Sequence, residues 1–116
     1  MKIFLRVMKA LSDPNRVRIL KLLEKSALCV CEIQEALGIA QPTVSSHMKI
    51  LEDAGLVDKE RQGTWMIYRQ AESQESVYAS TMLHTLKDWL NEDADLQRMT
   101  NALPQTTCQR VYTLKK

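Results

Sequence analysis

Two thiols one residue apart, in Ala27-Leu28-Cys29-Val30-Cys31-Glu32-Ile33, are the side chains of this sequence best suited to chemistry. A single cysteine usually behaves as a small buried hydrophobe. Two at i and i+2 on a helix point about 200° apart, so they cannot share one buried face. Nor do residues so close form an unstrained disulfide readily. A soft, thiophilic ion could gather both sulfurs, but only by unwinding the local helix end. The third cysteine, Cys108, lies in the tail QTTCQRVYTLKK, where it is either a third ligand or a surface thiol. The paired-cysteine spacing of a four-thiolate zinc site is absent, as are His-x-x-His and His-Glu-x-x-His. His47 and His84 stand alone and read first as packed or partly exposed side chains.

A second set of residues suits recognition rather than reaction. Within Cys29–Gly55, Ile33, Leu37 and Ile39, then Val44, Met48 and Leu51, recur at spacings that bury one face of each of two helices. Gly38 breaks the first helix where a tight turn needs positive φ, and Pro42 falls in the first turn of the second. The other face of that second helix carries Gln41, Thr43, Ser45, Ser46 and Lys49, and His47 lies among them. Such donors and acceptors reach base edges and phosphates in a major groove. A solvated surface helix would look the same, so the flanking elements decide.

Leu56 to Gln70, LVDKERQGTWMIYRQ, changes to period two and holds Val, Trp, Ile and Tyr, which predicts a β-hairpin turning at Gln62-Gly63. Lys59, Arg61 and Arg69 make it basic. A helix-turn-helix followed at once by a basic hairpin is the winged-helix arrangement, far more specific than either half. Upstream, residues 3–11 form a short helix with a stripe of Ile3, Phe4, Val7, Met8 and Leu11. Ser12-Asp13-Pro14 then starts a helix reaching about Lys25, whose Val17, Ile19, Leu20, Leu22 and Leu23 supply core. Arg16, Arg18 and Lys21 interrupt it and read as exposed charges or contacts to a DNA backbone. Downstream, helical spacing spans Ser73 to Asn91 with Val77, Tyr78, Met82, Leu83, Leu86, Trp89 and Leu90 on one side. That stripe and the first helix together suggest a subunit interface. Leu96, Met99 and Leu103 mark a last short helix before Pro104.

The totals agree with one small, mainly α domain carrying a β-hairpin. The chain has 116 residues, 45% hydrophobic and 26% charged, with only 3 Gly and 3 Pro. A net charge of +2 is too small to argue for nucleic acid, so any basic footprint must be local. No apolar run approaches the ~20 residues that span a bilayer, and Lys2, Arg6 and Lys9 break any signal-like segment. Three cysteines, two nearly adjacent, argue against a disulfide framework. A cytoplasmic, reducing setting is therefore expected. The expected organisation is a domain over 1–92 and an extension over 93–116.

At these residues the chain resembles the arsenic-responsive ArsR/SmtB repressors. Leu-Cys-Val-Cys-Glu-Ile (28–33) looks like their thiol motif, usually ELCVCDLC. Ala-Gln-Pro-Thr-Val-Ser-Ser-His-Met-Lys-Ile-Leu (40–51) is similar to their recognition helix, and ALSDPNRVRIL (10–20) and Ala-Gly-Leu-Val (54–57) are typical of them. The resemblance covers about residues 4–91. It implies a winged helix-turn-helix, homodimeric through the first and late helices, that leaves operator DNA when a metal or metalloid binds. By position it makes Cys29 and Cys31 the thiols of an arsenite or antimonite site. Three departures stand out. Gln34 replaces the motif's last cysteine, which leaves Cys108 as the third thiol or the site with two. Ala40 replaces the usual Ser N-cap, a loss of about 0.5–2 kcal/mol. The late helix offers only His84 for the family's zinc site, without the second His and acidic ligands.

The leading expectation is thus a repressor that binds double-stranded operator DNA as a dimer and is released by arsenite or antimonite. Its predicted DNA contacts are Gln41, Thr43, Ser45, Ser46, His47, Lys49, Arg61 and Arg69. Its metalloid ligands are Cys29, Cys31 and Cys108, with no permanent cofactor and no membrane partner. A second reading keeps DNA but makes the effector cadmium, lead or an oxidant of the thiols. A third is a winged helix that binds protein. No nucleophile–base pair, carboxylate pair or phosphate loop points to an enzyme.

Overall fold

In the computed structural model, which describes residues 1–72 and 76–103, the elements run α1 (Lys2–Ala10), α2 (Pro14–Leu23), β1 (Leu28–Cys29), α3 (Val30–Leu37), α4 (Gln41–Asp53), β2 (Val57–Gln62), β3 (Trp65–Gln70), α5 (Val77–Leu86) and α6 (Ala94–Ala102). The helix starts follow from short capping side chains. Asp13 accepts the amides of Asn15 (2.8 Å) and Arg16 (3.1 Å) ahead of Pro14, and Ser76 and Asp93 cap α5 and α6 in the same way. Gly38, at φ +69°, closes α3 with its amide on the Gln34 carbonyl at 2.8 Å. At the end of α4 the Leu56 amide returns to the Leu51 carbonyl and the Gly55 amide to Glu52, both at 3.0 Å. This paired closure needs the left-handed backbone that Gly55 supplies at φ +77°.

One core holds the helices together. Ile19, Leu20 and Leu22 of α2, Ile33 of α3, Val44, Met48 and Leu51 of α4, and Leu56 are all fully buried in it. α6 belongs to the same body: it packs on α2 and α3, and Leu96 and Leu103 are buried. The short helix expected before Pro104 is thus α6, resting on α2 and α3. No helix among the described residues is long and apolar enough to cross a membrane.

The sheet has an element that periodicity did not reveal. Its order is β1-β3-β2, all antiparallel, with Leu28 opposite Tyr68 and Cys29 opposite Ile67. Because β1 is only two residues long, it covers only the middle of β3. The β2–β3 hairpin extends past it, and Asp58, Lys59, Glu60 and Arg61 are all exposed. Gln62 pairs with Trp65, so the turn is Gly63-Thr64 rather than Gln62-Gly63, with Gly63 at φ +63°.

The late helix also differs from its sequence pattern. It ends at Leu86, and Trp89 and Leu90 lie in a turn where Leu90 adopts φ +64°. Lys21 sits at the break. Its ammonium, 5% exposed, donates to the Leu86 carbonyl and the Asn91 side chain, both at 2.8 Å, and pairs with Glu24 at 3.0 Å. Lys21 is thus a buried clamp on the end of α5, neither an exposed charge nor a DNA contact. Leu83 and Leu86 face their own domain and are buried there, whereas Ile3, Phe4, Val77 and Tyr78 are exposed. Phe4 meets Tyr78 edge to face at 5.3 Å, which joins α1 and α5 into one apolar surface.

Candidate nucleic-acid interface and thiol site

Helix α4 divides cleanly by period. Val44, Met48 and Leu51 are fully buried, and Gln41, Thr43, Ser45, Ser46 and Lys49 are exposed. Lys49 leans on Asp53 at 3.3 Å, a loose i,i+4 pair that leaves most of its side chain in solvent. Ala40 gives no side-chain cap, so the first turn of α4 is held only by its backbone.

His47 does not share that face. Arg16 Nη1 donates to His47 Nδ1 at 3.2 Å, and His47 Nε2 lies 3.9 Å from the Asp13 carboxylate. The imidazole is directed toward the start of α2. Burial raises the Asp13 pKa, but the Arg16 and Asn15 amides and the nearby Arg16 guanidinium outweigh it and hold the carboxyl below its ordinary range. Arg16 is likewise drawn inward, where its remaining donors reach α1.

In the hairpin, most basic groups already have acidic partners. Arg69 bonds Glu60 across the strands, and Lys59 reaches Glu52 of α4 at 3.4 Å. Arg61 is exposed and forms no ion pair among the described residues. Of the two predicted wing contacts, Arg61 is therefore the one presented to solvent without a competing carboxylate.

Cys29 and Cys31 meet at a junction. Cys29 is both the last residue of β1 and the N-cap of α3, with φ −88° and ψ 168°, and Cys31 lies in the first turn. Because Cys29 is extended rather than helical, the 200° argument does not apply, and the two Sγ atoms lie 2.8 Å apart with the helix intact. The expectation that gathering the sulfurs requires unwinding is thereby corrected. Glu32, a residue the sequence reading passed over, completes the arrangement. Fully buried, it takes the Cys29 amide at 2.9 Å while the Cys29 sulfur faces the Glu32 amide. This is a capping box with a thiol in place of a hydroxyl, and the Cys-x-x-Glu spacing was its visible signal.

Ile67, Trp65, Ala27 and Cys31 surround Cys29 in a small apolar cluster apart from the main core. That burial, reinforced by the nearby Glu32 charge, pushes the Cys29 thiol up to about 11, so it is protonated at neutral pH. Cys108 lies outside the described residues. His84 is exposed on α5, and no group of three His, Cys, Asp or Glu side chains able to hold a metal occurs among the described residues.

Known proteins resemble this chain. Residues 13–59, from the N-cap of α2 into the hairpin, match the family model for bacterial regulatory proteins of the arsR family. The arsenical resistance operon repressor of Staphylococcus xylosus is 34% identical over 90 residues, 78% of this chain and 75% of that protein. The arsenic resistance transcriptional regulator ArsR1 of Pseudomonas putida is 36% identical over 93 residues, 76% of this chain and 72% of its own length. Among solved structures, a homodimeric winged helix-turn-helix DNA-binding domain from Mycobacterium bovis, a possible ArsR-family regulator, superposes with TM-score 0.63 at 30% identity, covering 74% of this chain and 76% of that one. With its helix-turn-helix, its wing and relatives of this similarity along most of their length, the chain belongs to the arsR family of transcriptional regulators.

Proposed function

We propose that this regulator represses transcription by binding operator DNA as a dimer, and that trivalent arsenic or antimony on Cys29 and Cys31 releases it. The observation that carries the reading is the 2.8 Å approach of the two sulfurs at the point where β1, α3 and, through β3, the wing are joined. Metal–thiolate bonds are about 2.3 Å long, so two sulfurs around one ion stand roughly 3–4 Å apart. An inserted ion would push this pair apart. It would thereby load the cap of α3 and the pairing of Cys29 with Ile67, and α3 packs directly on α4. Ligand and DNA then oppose each other by coupling between two sites.

The protonated state of Cys29 favours a metalloid hydroxide over a bare divalent cation. Each thiol that joins As(OH)3 gives its proton to a departing hydroxide: the S–H bond breaks, As–S forms, and water leaves. A divalent cation must instead expel the Cys29 proton to solvent, against a pKa of about 11. The names of the Staphylococcus and Pseudomonas relatives, both concerned with arsenic resistance, support the same effector.

In this reading Gln41, Thr43, Ser45 and Ser46 meet bases or phosphates, Lys49 and Arg61 meet the backbone, and His47 and Arg69 act through the contacts described above. Dimerisation uses the exposed Ile3, Phe4, Val77 and Tyr78. Val77→Arg should give monomers on sedimentation, and Leu83→Arg should unfold the chain. Cys108 as third ligand remains part of the proposal. X-ray absorption of the arsenite complex should lose one sulfur neighbour in Cys108→Ser, and an unchanged spectrum would leave a two-thiol site.

The deciding experiment is a fluorescence-anisotropy titration of the protein bound to a duplex, with arsenite, antimonite, cadmium and zinc added in turn. Release by the first two at concentrations where the others do nothing is expected. Release by cadmium alone would transfer the site to a divalent ion. Failure to bind duplex at low salt would remove the DNA reading altogether.

A further inference from the structure

We infer that Arg16 is a positioning residue, holding the DNA-reading helix α4 at a set angle to α1, the helix that carries part of the exposed apolar face. This inference rests on the DNA-binding reading proposed above. The guanidinium divides its donors between two elements. Nε donates to the Ala10 carbonyl at 2.8 Å and Nη2 to the Lys9 carbonyl at 3.1 Å, both in the last turn of α1, where the Lys9 carbonyl also takes the Ser12 amide and hydroxyl. The third donor, Nη1, goes to His47 Nδ1 on α4 at 3.2 Å. Arginine accepts no hydrogen bonds, so this contact requires His47 Nδ1 to be unprotonated, which leaves the proton on Nε2, facing Asp13.

The consequence is geometric. α1 meets α5 through Phe4 and Tyr78, and α4 carries the exposed polar face. In a symmetric dimer, the separation of the two copies of α4 depends on the angle between α1 and α4 within each subunit. An inverted repeat reads that separation, and an isolated half-site does not. The planar fork of arginine fixes three acceptors at once, whereas a lysine ammonium offers a point charge on a flexible stem. An Arg16 that only capped α1 would affect stability and leave the preference for a repeat untouched.

The test uses the full chain and an inverted-repeat duplex selected in vitro against the wild-type protein, together with a duplex carrying one half-site. In Arg16→Lys and Arg16→Gln the ratio of repeat to half-site affinity should fall by about tenfold, within the usual range of coupling between sites. Half-site affinity should change by no more than about twofold over the same range. The 15N NMR signals of the His47 ring should lose the acceptor signature at Nδ1. Should the Arg16 variants not fold, His47→Ala and His47→Gln test the same contact with the cap of α1 intact. Glutamine retains an acceptor and should keep more of the ratio than alanine. An unchanged ratio in the folded variants overturns the inference and leaves Arg16 as a helix cap. A wild-type protein that binds repeat and half-site duplexes alike overturns the inference, and one that binds neither duplex overturns the DNA-binding reading on which it rests.

Discussion

The two helices of the helix-turn-helix begin in opposite ways. α3 starts inside the protein, at a residue that is at once a strand partner of Ile67, a member of a reciprocal cap with Glu32, and one of two cysteines whose sulfurs lie 2.8 Å apart. α4 starts in solvent, at Ala40, with no side-chain cap at all. The first is held by several interactions that share atoms, so a change at one is felt by the others. The second is held loosely, at the end nearest Gln41 and Thr43. A repressor benefits from that division. In the proposed mechanism, the start of α3 would convert a small displacement of the sulfurs into strain, and the start of α4 would settle onto DNA.

The largest effect should come from the exposed side of α4. Ser46→Glu places a charge against phosphates without touching the core, and specific duplex binding should fall by about a hundredfold or more, the scale of losing one or two specific contacts. Circular dichroism and thermal melting should match the parent. A variant that still binds selected DNA as tightly would show that this face is not the reading face.

Next comes Glu32→Ala, which strands the buried Cys29 amide and removes the reciprocal cap. A loss of about 2–4 kcal/mol in urea unfolding is expected, with Glu32→Gln losing less because it keeps an acceptor. A loss no larger than that of an ordinary surface cap would mean that the two helix starts are alike after all.

The Cys29 thiol sharpens the contrast through pH. The unfolded thiol titrates near its ordinary 9.0 and the folded one near about 11, so the folded state favours the protonated form. Its contribution is complete below pH 9 and is lost as pH rises toward 11, on the order of 2 kcal/mol in all. Urea midpoints measured from pH 7 to 11 should fall over that window in the wild type. In Cys29→Ser the alkaline fall should be shallower, and the response to arsenite should vanish while DNA binding persists.

The smallest effect belongs to the start of α4. Ala40→Asp or Ala40→Ser supplies the missing cap at an extended residue and should stabilise the fold by about 0.5–1 kcal/mol. Hydrogen exchange of the first turn of α4 should slow without a change elsewhere. If stability does not move, the turn is already fully ordered by its packing.

Much of α4 and the wing was legible because periodicity reports which side of an element is covered. Val44, Met48 and Leu51 mark one face of a helix wherever the rest of the chain lies, and Gly55 and Pro42 punctuate it by local backbone chemistry alone. The same reasoning placed the helix start at Asp13, where a capping side chain acts on its own neighbours.

Three features came only from the tertiary structure. Cys29 is a strand residue because the residue it pairs with, Ile67, is on β3, far along the chain, and two residues are too few to carry a period. Lys21 and Arg16 read as surface charges because burial of a cation depends on acceptors elsewhere: the Leu86 carbonyl and Asn91 for one, the end of α1 and His47 for the other. The apolar stripe of the late helix divided into a buried half, Leu83 and Leu86, and an exposed half, Val77 and Tyr78, because only packing decides which hydrophobic residues their own domain covers. Sequence by itself determined which residues prefer to leave water and where the backbone can turn. The tertiary structure decided which distant groups meet, because an acceptor that satisfies a buried donor leaves no mark on the donor's neighbours in the chain.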